Sequence, residues 1–185
     1  MSLTVIIIIV AVVVVLIVCA VAARRVMVRR RGLQERFGPE YERTVEAQDS
    51  RRAAEQELRE REERHDALDI KPLPAAARDR YSRDWARVQE QFVDRPDEAV
   101  HDADRLVTTL MSARGYPTEG YEQQLRDLSV EHGKTLEHYR AAHDVNDRSS
   151  SHRATTEELR GAMVHYRALF EELLHDGDRP GRDAA

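Results

Sequence analysis

The chain has 185 residues, 34 acidic and 29 basic, a formal net charge of −5 and one cysteine. One cysteine excludes an intrachain disulfide framework, and nothing about it demands an oxidising compartment. Residues 1–31 hold five arginines and no acid, so the rest of the chain carries about −10, the wrong sign for a protein that grips nucleic-acid phosphates.

The first element is an apolar run from Leu3 to Ala23, with no charge and no proline. As a helix it is roughly 31 Å long, the thickness of a bilayer's hydrocarbon core. Its many Val and Ile residues favour strand in water, but a lone segment in lipid must satisfy its own backbone and therefore forms a helix. About fifteen Val, Ile and Leu residues contribute roughly −6 kcal/mol to insertion. No later segment approaches that, so the sequence predicts a single-pass anchor over 1–23.

Met1-Ser2 lacks the basic n-region of a cleaved signal peptide, although Ala20-Val21-Ala22 resembles a cleavage site. A lipidated Cys19 is excluded by Val18, because lipobox sequences place a small residue there. Ala11, Cys19 and Ala23 form a small-residue line that could pair helices into a homo-oligomer. Arg24, Arg25, Arg29, Arg30 and Arg31 follow the span in a basic juxtamembrane cuff, 24–32. The positive-inside rule then puts the N-terminus outside and the soluble part in the cytoplasm. The same arginines are the candidate membrane-surface contacts, each worth about 1 kcal/mol near anionic headgroups.

From 33 to 69 the sequence predicts a charged helical spacer. Leu33, Phe37, Tyr41 and Val45 recur every fourth position, interrupted at Gly38-Pro39, where proline suits a first turn. Arg51 to Asp66 is dominated by charge, with Glu55–Arg59, Glu57–Arg61 and Glu60–Arg64 in the favourable i,i+4 order. Ala54, Leu58 and Leu68 leave only a thin apolar edge, and a heptad is not sustained, so the helix is coiled-coil-like at most.

Pro72 and Pro74 break that helix, and a helical bundle is predicted over 70–176. Its helices run from about Ala75 to Phe92, from Pro96 to just before Gly115, from about Thr118 to Val130, from about Lys134 to Asn146, and from Thr155 onward. Tyr81, Trp85, Val88 and Phe92 share one face of the first of these. Thr155 and Glu158 match a capping box, and Leu159, Met163, Tyr166, Leu169, Phe170, Leu173 and Leu174 follow at helical spacing. Residues 177–185 read as a flexible tail. No strand pattern appears, so the fold class is all-α: one N-terminal transmembrane helix, a spacer helix and a small antiparallel bundle.

Chemistry-bearing motifs are sparse. Two Glu-x-x-His pairs, Glu62/His65 and Glu172/His175, have the spacing of di-iron bundles. The first lies in the charged spacer, however, and Glu172 falls nearly opposite a face drawn through Met163, Tyr166 and Phe170. His101, His132, His138, His143, His152 and His165 show no metal-ligand spacing, and there is no Walker loop, dinucleotide glycine pattern or nucleophile elbow. Ser149, Ser150, Ser151, Thr155 and Thr156 are candidate phosphate acceptors in a polar loop. No catalytic, cofactor-binding or metal residues are therefore assigned, and no cofactor is expected.

Arg31-Gly-Leu-Gln-Glu-Arg-Phe-Gly-Pro-Glu-Tyr41, the break from Leu68 to Leu73, and Ala154-Thr-Thr-Glu-Glu-Leu-Arg160 continuing to Leu174 resemble a family of uncharacterised single-pass membrane proteins of high-GC actinobacteria. The resemblance spans most of the chain. It implies the bacterial plasma membrane as location and no catalytic residues.

The expected function is a membrane-anchored, non-enzymatic interaction module presenting an acidic helical bundle at the cytoplasmic face. Its expected partners are the bilayer, through residues 3–23, and a protein, with no nucleic acid. The alternative is a tethered helical domain that binds a small ligand or carries out catalysis in a pocket between helices.

Overall fold

The computed structural model describes residues 3–175, with side chains from Val12 onward. The 177–185 tail and the side chain of Ala11 in the small-residue line therefore lie outside what is described. Among the described residues the regular elements are α-helices: α1 (Leu3–Phe37), α2 (Pro39–Ala47), α3 (Arg51–Asp66), α4 (Ala75–Asp94), α5 (Pro96–Arg114), α6 (Tyr121–Leu128), α7 (Leu136–Ser149) and α8 (Thr156–His175). The chain is all-α, as its patterning requires. It divides into two compact units, Met1–Leu58 and Arg59–Ala185, with the boundary inside α3.

In the first unit α1 runs unbroken from the apolar run through the arginines to Phe37. Gly38, at φ 54°, turns the chain, and Pro39 opens α2. Among the described residues no helix is long and apolar enough to cross a membrane. The described side chains begin at Val12, and the stretch from there to Ala23 is only about 18 Å of helix before Arg24 and Arg25. The Leu3–Ala11 half of the predicted span lies outside the described side chains.

The spacer segment folds back on itself. Arg30 Nε donates to Glu55 Oε1 at 2.8 Å, and Tyr41 Oη donates to the same oxygen at 2.9 Å. Glu55 thus draws α1, α2 and α3 together. Leu33, Phe37, Tyr41, Ala54 and Leu58 are buried, so the stripe and the thin apolar edge read from the sequence are packing surfaces.

The second unit is a bundle of α4, α5, α7 and α8, with α5 packed against the other three. One residue, Arg95, links α4 to α5, and six link α7 to α8, so each packed pair is antiparallel. Its core includes Leu110, Met111, Leu136, Tyr139, Tyr166 and Leu169. Trp85 stacks on Phe170, their centroids 4.7 Å apart and planes 21° from parallel, which places the chain's single tryptophan in that core.

Helix ends follow their local chemistry. Pro96, Asp97 and Glu98 form the first turn of α5. At its other end Gly115 N–H reaches Ser112 O at 3.0 Å and Tyr116 N–H reaches Met111 O at 3.1 Å, the Schellman pattern, with Gly115 at φ 102°. The capping box of α8 forms as read: Thr155 N–H donates to Glu158 Oε2 at 2.8 Å and Glu158 N–H to Thr155 Oγ1 at 3.3 Å. The Thr155 backbone N–H, together with Arg148, holds the Glu158 carboxyl down to about 2.

The proline-bearing break is pinned from within the same unit. Lys71 N–H donates to Arg114 O at 2.9 Å. The buried Arg114 side chain returns Nε to Lys71 O at 3.2 Å and sends Nη1 to Leu173 O at 2.8 Å. One arginine therefore ties the break, the end of α5 and the end of α8.

Candidate functional site

The juxtamembrane arginines stand on the surface of α1. Arg24, Arg25, Arg29 and Arg31 are exposed, while Arg30 is half-buried and committed to Glu55. Four of the five guanidiniums therefore present themselves to whatever lies alongside this helix, and the fifth holds the fold.

The second unit contains two polar centres. One surrounds His132, which is fully buried in the turn between α6 and α7. Its Nδ1 lies 3.1 Å from Glu172 Oε1 on α8, and its Nε2 lies 3.2 Å from Tyr116 Oη. Tyr116 Oη also reaches Glu131 Oε2 at 3.4 Å, and His65 Nε2 stands 3.8 Å from that same oxygen. Thr135 Oγ1 donates to Glu172 Oε2. Carboxylate, imidazole and hydroxyl follow one another as in a nucleophilic triad. However, Tyr116 is 2 % exposed and His132 0 %, so the reactive atoms meet protein rather than substrate. This line of side chains joins α3, the 116–135 segment and α8 through close buried polar contacts.

These contacts correct two readings of the sequence. His65 is buried at the end of α3 instead of standing in solvent, and Glu172 is largely buried instead of facing away from the core. The buried face of α8 also includes Ala162, Leu169 and Leu173, which shifts its centre toward Glu172 at about 100° per residue. His132 lacked any periodic signal, since it sits in a turn.

The other centre is Asp104 on α5. Tyr166 Oη donates to Asp104 Oδ1 at 2.8 Å, and His143 Nδ1 approaches the same oxygen at 3.4 Å. The His143 ring lies over Tyr121, centroids 3.9 Å apart and planes 14° from parallel, while Tyr139 Oη donates to Gln124 Oε1 at 2.7 Å. Burial pulls the His143 value down, but the hydrogen bond and charge of Asp104, with Asp147 and Asp144, outweigh it and hold it above the ordinary histidine value. Burial raises the Tyr121 phenol to about 12 and pushes those of Tyr139 and Tyr166 up as well.

The sign of the His143 shift sets a pH dependence. A histidine with a raised folded-state value stabilises fully below its unfolded value of about 6.5, and that contribution fades as pH rises through the folded value. Unfolding free energy measured from pH 6 to 8 is expected to fall more steeply in the parent chain than in His143→Gln. Equal slopes would show that Asp104 does not hold the imidazolium.

Open grooves run along the bundle. One of about 500 Å³ between α4 and α5 carries the pairs Arg87–Asp84 and Arg105–Asp102. Another of about 440 Å³ is lined by Asp97, Glu98, His101, Asp102, Ser149, Ser150 and His152. Of the candidate phosphate acceptors, Ser149 is buried, its Oγ donating to Asp97 Oδ1 at 2.5 Å, whereas Ser150 and Ser151 are exposed. His138 on α7 and His165 on α8 meet outside both centres, their Nδ1 atoms 2.9 Å apart.

Compared with known proteins, the chain matches no family model, no curated protein and no solved structure.

Proposed function

We propose that the protein is a membrane-tethered interaction module of the bacterial plasma membrane, crossing once through residues 3–23 with its N-terminus outside. In this reading the helical bundle, near −10 in charge together with the spacer, is held at the cytoplasmic face and engages a protein partner there. The carrying observation is the surface of α1. Val12, Leu16 and Val18 are 53 %, 62 % and 61 % exposed, and Arg24 and Arg25 follow at once, whereas both units bury most of their other large apolar side chains. A continuous exposed apolar face has to be covered, and lipid suits one that lacks every polar group. Arg24, Arg25, Arg29 and Arg31 then meet anionic headgroups, while tethering raises the bundle's effective concentration at the membrane. The resemblance to single-pass actinobacterial proteins points the same way.

Two measurements test the reading. The chain is expected to stay in the membrane pellet after an alkaline carbonate wash, and release into the supernatant would overturn the anchor. A reporter fused after Ala185 is expected to be active only on the cytoplasmic side, and activity on the outer face would overturn the orientation. For the partner, crosslinking in intact cells with and without residues 70–176 should recover different proteins if the bundle is the binding element.

A further inference from the structure

We propose that His138 of α7 and His165 of α8 form a two-histidine site for a divalent transition-metal ion, copper(II) above all, that clamps the two helices together.

The geometry is specific. The two Nδ1 atoms stand 2.9 Å apart while the ring centroids stand 5.0 Å apart, so the imidazoles meet nitrogen edge to nitrogen edge rather than face to face. Two imidazole nitrogens bound cis to one metal at about 2.05 Å from it are separated by about 2.9 Å, the separation found here, and a rotation of about 20° in each ring turns the nitrogens from each other toward a shared ion. In the metal-free protein one Nδ1–H donates to the other Nδ1. On binding, that proton moves to the same ring's Nε2, both Nδ1 lone pairs face the ion, and the number of protons on two neutral imidazoles is unchanged. The helices supply rigidity, because α7 and α8 pack along one another and are joined by only six residues.

Imidazole donors suit copper, nickel and zinc, and the intrinsic order of divalent affinities places copper(II) first. No third His, Cys, Asp or Glu converges on the pair among the described residues, so water completes the coordination and affinity is modest. His138 is exposed and His165 half-buried, so an ion reaches the site without opening the core.

The test is calorimetric titration of the full chain, held in mild detergent, with copper(II), nickel(II) and zinc(II) chlorides at pH 7.5. One copper ion per chain is expected, bound more tightly than nickel or zinc, with a rise in the unfolding midpoint. His138→Ala and His165→Ala are each expected to weaken copper at least tenfold and to abolish the midpoint rise. Both positions lie off the core, and Trp85 fluorescence verifies that the variants fold. His175→Ala, at another exposed histidine, should bind as the parent does. Absence of stoichiometric copper binding would overturn the proposal. So would copper binding that survives both substitutions or is lost on His101→Ala instead. None of these outcomes depends on the membrane tether, whose own tests are fractionation and topology.

Discussion

Gly115→Ala is expected to destabilise the second unit by about 2–4 kcal/mol, among the largest effects of any single methyl group in this chain. Gly115 sits at φ 102°, where an L side chain is strained whatever the space. Space is also lacking: a Cβ there would lie 2.4 Å from the carbonyl oxygen of Asp69, which is backbone and cannot rotate away. The substitution must therefore either undo the Schellman turn that ends α5 or push out the segment that Lys71 and Arg114 pin. Gly161 provides the contrast. It lies within α8 with nothing within 4 Å of its would-be Cβ, so Gly161→Ala is expected to stabilise by about 0.5–1 kcal/mol. Urea unfolding followed by the fluorescence of Trp85 reads both, and two substitutions of equal sign and size would refute the argument.

The second large effect is at Arg114. Replacing it with Met keeps much of the volume but removes the charge-assisted bonds to Leu173 O and Lys71 O, leaving buried carbonyls unpaired at the ends of two segments. At about 1.5–3 kcal/mol for a hydrogen bond to a charged group, less for the longer contact, Arg114→Met should cost about 2–4 kcal/mol. Arg114→Lys should recover only part of that, since an ammonium cannot reproduce the two-pronged reach of a guanidinium. Because the clamp holds the 69–73 break and the end of α8, hydrogen exchange in Arg114→Met should rise first in those two segments. A loss within about 0.5 kcal/mol, the range of an inert surface change, would show that Arg114 is not the hub.

These two neighbours show how residues far apart in sequence come to decide one feature. Gly115 was legible as a stop and Pro72-Pro74 as a break, because both act through the local backbone. That Asp69 would lie against Gly115, or that Arg114 would reach across to Leu173, has no local signature. The same division runs through the polar centres. Tyr166 was read as a core residue from its spacing, and it is buried, as is Tyr139. Their hydroxyls need acceptors once buried, and those come from Asp104 on α5 and Gln124 on α6, which have no periodic relation to them.

Glu172 and His65 are instructive for the opposite reason. Each was noticed as part of a Glu-x-x-His spacing; His65 was set aside as lying in the charged spacer, and Glu172 as lying nearly opposite the core face. Both in fact lie against the 116–135 segment, where Glu131 stands beside the His65 imidazole and His132 and Thr135 beside the Glu172 carboxylate as these groups leave water. The spacer shows a milder form of the effect. Its charge suggested a solvated rod, but Glu55 accepts from Arg30 and Tyr41 together, and the rod becomes a folded unit.

By itself the sequence determined what depends on the order of neighbours along the chain: an all-helical protein, an apolar run closed by arginines, the breaks at Gly38-Pro39 and at Ile70 to Pro74, and the caps at Pro96, Gly115 and Thr155. Helix periodicity and capping are set within a few residues, so they can be read within a few residues. Only the tertiary structure decided which polar groups meet: Arg114 with Leu173, Glu172 with His132, Asp104 with Tyr166 and His143, and His138 with His165. Those meetings depend on how helices are laid side by side, and burial makes each polar group take whatever partner that packing provides.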